Sequence, residues 1–564
     1  MEWLLMEPPD ASFHLIVVSD LAPGAGGTAR ARAVDKDSLD ELLRSLGPSI
    51  EVPGGGARTL LTFQEFKDFR PDRLAARIPA VAGLLDFKKQ VLELAAGAGS
   101  VDAVRGALEK LGAYPQLARA LEAALAWTAK APTAPAPAPK PAGPVPAGGI
   151  FDLVDAESSP ASGDPTPEQI EKSAAKLIDA VLGTTGARPV PAALRSVAAQ
   201  AESAVAPMLR AVLHDARFQE LESAWRGLRL LVRSVDFRAG CRLHVIASPR
   251  KNLLAAVREV ALPLADDLRS QGKTACLLLD AAFDGSEPEL RTLAEEAAAR
   301  SLPLLASAGL EVALRELAAG LGDASQAVWM QLRAAAPARW LALAANRYLY
   351  RSLYGAGGEP TRELAFEEGG GPETPLPWGR PGWLLAVFVA SSFAKTGWGC
   401  DFAGRDAAAA LEPLPLRPGD GETTPLESDL NEAAANALGE AGLLPIACRR
   451  GNDRPFAAGT ATVYRAGKDE PTTTLRYALF AAAVAASMES LLAHLDLTHG
   501  IDEIAGTIGA ALQLMGMTAG GSLYSATATP AADGRPAVSV RVRPHGGVLR
   551  GLPDLAFDVP ITLH

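Results

Sequence analysis

Aromatic side chains are scarce in this 564-residue chain, at 5%, and its cysteines, histidines and net positive charge are no more plentiful. Alanine and leucine dominate instead, and both lose little on entering a helix, so a helix-rich protein is expected. The four cysteines, Cys241, Cys276, Cys400 and Cys448, are far apart. That excludes a zinc spacing and a disulfide framework, and leaves buried free thiols in a reducing compartment. The seven histidines, His14, His214, His244, His494, His499, His545 and His564, are scattered, with no acidic residue at a metal-ligand spacing. No metal and no cofactor is expected. A net charge of −11 repels phosphate backbones, so no nucleic acid is expected as a partner. Long apolar runs are missing too. The run at 383–394 is short, and the one at 477–497 carries Glu489 and Ser490. Neither meets the roughly twenty apolar residues of a membrane span. The opening MEWLLMEPPD lacks a basic region, and Pro8 and Pro9 stop its apolar run, so it does not read as a signal peptide. A cytoplasmic protein with no membrane contact is expected.

What is present divides the chain. Residues 131–149 read APTAPAPAPKPAGPVPAGG, and alternating Ala-Pro favours extended geometry over packing. A second polar stretch runs from 157 to 166. The expected organisation is a small module at 1–130, a Pro/Ala-rich linker with a short apolar motif at 131–166, and a large module at 167–564. In the small module, 13–18 reads as a strand. A helix follows, with Ser38 and Glu41 in a capping-box spacing, Leu39, Leu42, Leu43 and Leu46 on one face, and Gly47-Pro48 as its stop. Phe63, Phe66 and Phe69 recur every third residue, Pro71 suits a helix start, Pro79 is expected to bend that helix, and 101–128 reads as further helix. The large module opens with helical sequence at 166–213. Its best-defined helix buries Phe218, Leu221, Trp225, Leu228 and Val232, with Glu222 and Arg226 as an i,i+4 pair on the outer side. Strands are expected at 242–247, 275–279, 537–543 and 556–563. Strands and helices mix in both modules, which gives a mixed α+β or α/β fold.

The candidates for chemistry are weak. Gln271-Gly272-Lys273-Thr274, leading to Asp280, suggests a phosphate loop. Such a loop needs an earlier glycine where Asp267 stands, and its Lys-Thr should open a helix, not a strand. Ser391 and Ser392 lack a nucleophile elbow. Glu367 and Glu368 read as a solvated turn before glycines. No constellation supports catalysis, so the chain is expected not to be an enzyme. A nucleotide-binding enzyme is the remotest alternative. Ile150, Phe151, Leu153 and Val154 form a small apolar patch in the linker, either docked on a neighbouring domain or offered to a partner groove.

Two resemblances emerge from longer motifs. The stretch TFQEFKDFRPDRLAARIPAVAGLL carries Lys67, Asp68, Phe69, Pro71, Asp72, Leu74, Pro79, Leu84 and Leu85 in register with the small contractile-sheath subunit of type VI secretion (TssB or VipA). The large module is similar to the large sheath subunit (TssC, VipB or EvpB). LHDARFQELESAWRGLRLLV supplies Phe218, Leu221, Glu222, Trp225, Arg226 and Gly227, and APARWLALAANRYLYRSLYG supplies Arg347, Tyr354 and Gly355. LAFEE, Trp378 and SSFAKTGWGC, with Phe393, Gly397 and Trp398, follow in the family's order, and RPFAAGTATVY, TTLRYALFAA and VRPHG come after.

The resemblance implies a structural subunit of a contractile sheath that assembles around an inner tube and contracts to drive it. Its implied partners are other copies of itself, paired helically or through its own two modules, an inner tube protein, a baseplate, and a ClpV-like disaggregase. Ile150, Phe151, Leu153 and Val154 lie near the place where that disaggregase would grip. The N-terminal arm and the large module are shorter than the family's pattern. A divergent cap or baseplate-associated adaptor is therefore the alternative.

Overall fold

The computed structural model describes residues 12–24, 28–55, 58–112, 114–130, 192–285, 287–309, 324–362, 364–369, 374–419, 421–465, 471–495, 498–518, 521–532 and 535–561. Two compact units result: residues 1–74 with 210–564, and residues 75–209. Each contains sequence from both sides of the linker.

The first unit is built on one eight-stranded sheet. Its strands are β1 (Phe13–Ser19) and β2 (Ala31–Val34), then, past a separate hairpin of β3 (Ser49–Pro53) and β4 (Arg58–Thr62), β5 (Cys241–Ala247), β6 (Thr274–Phe283), β7 (Leu304–Ala308), β8 (Leu341–Ala345), β9 (Leu444–Ala447) and β10 (Phe456–Ala457). Their spatial order is β10-β9-β8-β7-β6-β1-β5-β2. The strands from β9 to β5 run parallel, and antiparallel β10 and β2 close the two edges. Parallel strands need crossovers, whose helices cover both faces, and such strands read as unbroken apolar runs. FHLIVVS is such a run, and all seven residues of β1 are buried.

On one face lie the helical run 253–270, which holds a π turn at Val257–Ala261, and the helix Glu289–Ala299. The other face is covered by Gly382–Thr396, which meets the sheet from β5 to β8, and by Ala216–Ser234 packed on it. Beyond the sheet, Ile501–Met515 packs on a three-stranded antiparallel layer of Tyr524–Pro530, Ala537–Pro544 and Leu555–Pro560.

The second unit is helical: Pro79–Ala95, Val101–Leu111 and Pro115–Lys130 precede the linker, and most of Ala192–Leu213 follows it. Phe87, Val91, Val104, Leu121, Val197, Ala201 and Val205 are all buried. Lys88 pairs with Glu202 at 2.7 Å, joining helices from either side of the linker.

Several local expectations change. Pro79 does not bend a helix but starts one. Ile78 is extended (φ −91°, ψ 112°) between the helices Pro71–Arg77 and Pro79–Ala95, as the clash ahead of proline requires. The Ser38–Glu41 capping box does not form, because the Ser38 hydroxyl turns back to Asp35 at 2.7 Å. Gly47 ends that helix in the left-handed region (φ 49°), as its sequence suggests. The span 101–128 is two helices parted at Gly112 (φ 60°). Helix Leu475–His494 is, by length and composition, long and apolar enough to cross a membrane, which the sequence reading had set aside. In this fold 56% of its most apolar window is buried inside the protein.

Because each half contributes to both units, the halves should fold only together. A fragment of residues 1–130 should show no cooperative thermal unfolding by circular dichroism. Mixing it with residues 192–564 should restore a single transition. A cooperative transition in the isolated fragment would contradict this.

Candidate functional site

The candidate site is the seam where the two halves meet inside the first unit. Strand β1, from the small half, lies between β5 and β6 of the large half. Phe13–Ser19 pairs in register with Cys241–Ala247 on one side, and Phe13 to Val18 pair with Thr274 to Leu279 on the other. A central strand satisfies its backbone groups on both edges, so removing it would strand two rows of donors and acceptors.

Side chains reinforce the backbone. Phe13 stacks on Phe393 at 5.2 Å between centroids. Ser19 donates to Asp280 at 2.7 Å, and Trp383 Nε1 and Arg380 donate to the same buried carboxylate. Trp225 Nε1 donates to the Leu21 carbonyl at 3.0 Å. Phe63 and Phe69 stack at 4.4 Å, both meet Phe218 at 6.0 Å, and Phe66 stands edge-on to Trp225 at 6.2 Å. The aromatic triplet of the small half thus packs on the apolar face of the large half's best-defined helix. Asp72 accepts the Arg362 amide at 3.3 Å, and Arg70 donates to the Pro360 carbonyl at 2.9 Å. Pro71 opens its helix, and Leu74 and Leu221 are buried.

Behind this seam lies a buried charge cluster. Glu222 and Arg226 do pair, at 2.8 Å, but Glu222 is fully buried instead of facing outward. The reason is Arg351, itself fully buried, whose Nε donates to both Glu222 oxygens at 3.1 Å. Its other nitrogens form a fork onto Glu368 at 2.7 and 3.0 Å. Glu368 is therefore no solvated turn residue. Its carboxylate also accepts the Tyr354 amide at 2.9 Å, with His214 Nε2 3.7 Å away. Tyr350 donates to Glu222, Arg226 reaches the Tyr354 hydroxyl, and Arg351 lies 4.6 Å above the Tyr354 ring. Burial opposes ionisation of Glu368, but the neighbouring His214 and the Arg351 guanidinium outweigh it and hold the carboxyl at about 2. Buried charges survive only when paired and hydrogen-bonded in this way.

The remaining motif residues take distinct places. Gly227 gives close approach between helices, since a Cβ there would sit 2.6 Å from Trp383 Nε1. Gly355 (φ +135°) lies where a Cβ would strike the Glu367 carboxylate. Arg347 forks onto Glu427. Gly397 caps its helix in the left-handed region (φ 73°). Trp398 lies away from the seam, edge-on to Tyr524 at 6.2 Å. Ser391 and Ser392 are buried on an apolar helix, and Ser392 donates to the Trp398 carbonyl. Lys273 and Thr274 follow a turn at Gly272 and lead into β6, so no helix N-terminus stands there for a phosphate. Ile150, Phe151, Leu153 and Val154 lie outside the described residues.

Sequence reading also missed a histidine pair. His14 and His244, one from each half, stack with Nδ1 and Nε2 2.8 Å apart, and Ser12 Oγ is 2.9 Å from the other His14 nitrogen. Burial pushes the His14 ring down to about 3, with His244, Lys273 and Arg242 adding to it, and burial and Lys273 lower His244 as well. The unfolded rings take up protons near 6.5, whereas the folded ones resist. Their contribution is therefore complete above about pH 6.5 and is lost as pH falls from there toward 3.

Three outcomes follow for stability. Replacing Arg351 with Met should cost about 3–5 kcal/mol in urea unfolding, because Glu222 and Glu368 lose a shared buried partner. Gly227→Ala should cost about 1–3 kcal/mol through overpacking against Trp383. Between pH 7 and pH 5 the wild-type urea midpoint should fall more than that of His14→Gln. Equal slopes would show that the imidazole pair carries no linkage.

Comparison with known proteins agrees with this geometry. The family described as EvpB tail sheath N-terminal domain (VipB) matches residues 195–264 and 275–464, and the VipA family of the type VI secretion system matches residues 10–126. The sheath protein TssC1 of Pseudomonas aeruginosa is 25% identical over 316 residues, which are 50% of this chain and 64% of TssC1, so this chain spans under two thirds of that relative's length. A chain in a cryo-EM structure of the anti-feeding prophage baseplate is similar over 58% of this chain and 77% of its own length, at 14% identity and a TM-score of 0.34, too distant to bear on function. With a small-subunit domain and a large-subunit domain built into one shared sheet, the chain belongs to the type VI secretion sheath family as a fusion of its two subunits.

Proposed function

We propose that this protein is a structural subunit of a type VI secretion-like contractile sheath, in which each chain supplies a preassembled small–large pair. The observation that carries the reading is the small half's β1 at the centre of the large half's sheet. Fusion sets the stoichiometry at one to one and raises the effective concentration of each half for the other. Lys130 and Ala192 belong to the same helical unit.

In this reading the role is mechanical, not catalytic. Copies stack in the cytoplasm around an inner tube protein, dock on a baseplate, and are recycled by a ClpV-like disaggregase. The segment with Ile150, Phe151, Leu153 and Val154 is the proposed grip for the last. The buried seam suits such a load, because force between neighbours must pass through each subunit without parting its halves. The many interface gains released on contraction would then add along the lattice.

Negative-stain electron microscopy of the purified full chain tests this directly. Long hollow tubules are expected. Monomers or single rings at high protein concentration would overturn the bulk-sheath reading in favour of a cap or baseplate adaptor.

A further inference from the structure

The His14–His244 pair sits where one apolar face of the sheet gives way to solvent. Residues two apart along a strand share a face, and Ile16, Val18, Ile246, Leu277 and Leu279 place this one in the core. Toward the amino ends of the same strands it turns polar. His14 of β1 pairs in register with Arg242 of β5, and His244 follows two residues on. Lys273 directly precedes Thr274, which pairs with Phe13, so it stands level with Ser12. Ser12, His14, Arg242, His244 and Lys273 thus share one face of three adjacent strands, contributed by both halves.

In a chain of net charge −11, this cluster is made of donors. Lys273 donates to the Gln271 side-chain oxygen at 2.7 Å, and the same amide donates to Asp267 at 2.9 Å, so the glutamine stands between lysine and carboxylate. One Arg242 nitrogen, Nη1, donates to the Phe237 and Cys241 carbonyls at 2.9 Å, which leaves Nε and Nη2 over. Neither cation has a carboxylate partner among the described residues. Lys273 acts on both rings and Arg242 on His14, each adding to burial in keeping them neutral. The half-buried His244 commits Nε2 to His14. Its Nδ1 has no partner among the described residues and is not sealed from solvent. A neutral imidazole carries one N–H. When Nδ1 of His244 holds it, Nε2 accepts from His14 Nδ1, and His14 Nε2 accepts from the Ser12 hydroxyl, so every link of the chain is satisfied.

We propose that this cluster binds a phosphate group, which accepts from His244 Nδ1–H while Lys273 and Arg242 supply the opposing charge. Phosphate offers three acceptor oxygens to donors from two strands. A cation would be repelled by both side chains. Lys273 serves here as a point charge at the start of a strand, not as the lysine of a phosphate loop.

Inorganic phosphate, titrated calorimetrically into the full chain in a chloride buffer, is the probe, and glycerol phosphate is the second arm. Saturable heat is expected with inorganic phosphate. Tighter binding of the ester would mark an esterified phosphate as the ligand, and weaker binding the free ion; both uphold the site. His244→Phe and Lys273→Gln should each weaken binding about tenfold or more, as for loss of a charge-assisted hydrogen bond. Lys251→Gln, an exposed lysine beyond the carboxyl end of β5, should change it by less than about twofold. Absence of saturable heat with the wild type, unchanged affinity in a folded His244→Phe, or an equal loss in Lys251→Gln would overturn the proposal. Should His244→Phe fail to fold, Lys273→Gln decides. Weakened binding with an unchanged circular dichroism spectrum upholds the site, and unchanged binding refutes it.

Discussion

A strand at the centre of a sheet has no free edge, and that is the condition under which the first unit is built. β1 exchanges backbone hydrogen bonds with β5 on one side and β6 on the other, and both neighbours come from sequence more than two hundred residues away. No local interaction can substitute for them. A peptide group left unpaired in a dry interior costs more than a hydrogen bond gains, so the small half cannot leave without opening the core of the large half. The seam is thus the middle of a core and not an interface between two finished domains.

The side chains around β1 extend this dependence outward. Asp280 collects donors from β1, from the loop before Gly382–Thr396 and from that helix itself. Arg351 ties Glu222 on the helix Ala216–Ser234 to Glu368 on a distant loop. Both are charges held away from water, stable only while all partners stay in place. Such clusters add little net stability compared with apolar packing, but they penalise any misplacement of the elements they join. Contact between helix and loop is then fixed by geometry as much as by burial.

Much of this was legible in the chain. FHLIVVS reads as a strand buried on both faces, the three-and-four spacing from Phe218 to Val232 reads as a core helix, and the order of sheath-like motifs gave the family. Three readings failed for one reason. Glu222 reads as outward-facing, Glu368 reads as part of a solvated turn beside Glu367, which is indeed exposed, and the histidines read as separate. In each case the decisive partner, Arg351 for Glu222 and Glu368 and His244 for His14, lies well beyond the reach of helix or strand periodicity.

The amino-acid sequence alone determined the main helices and strands and the kinship of each half, because side-chain periodicity and motif order act over short spans. Only the tertiary structure decided that the halves share one sheet, that Glu222 and Glu368 are buried on one arginine, and that two imidazoles from different halves meet. Those depend on which distant strands become neighbours, and a linear pattern carries no record of that choice.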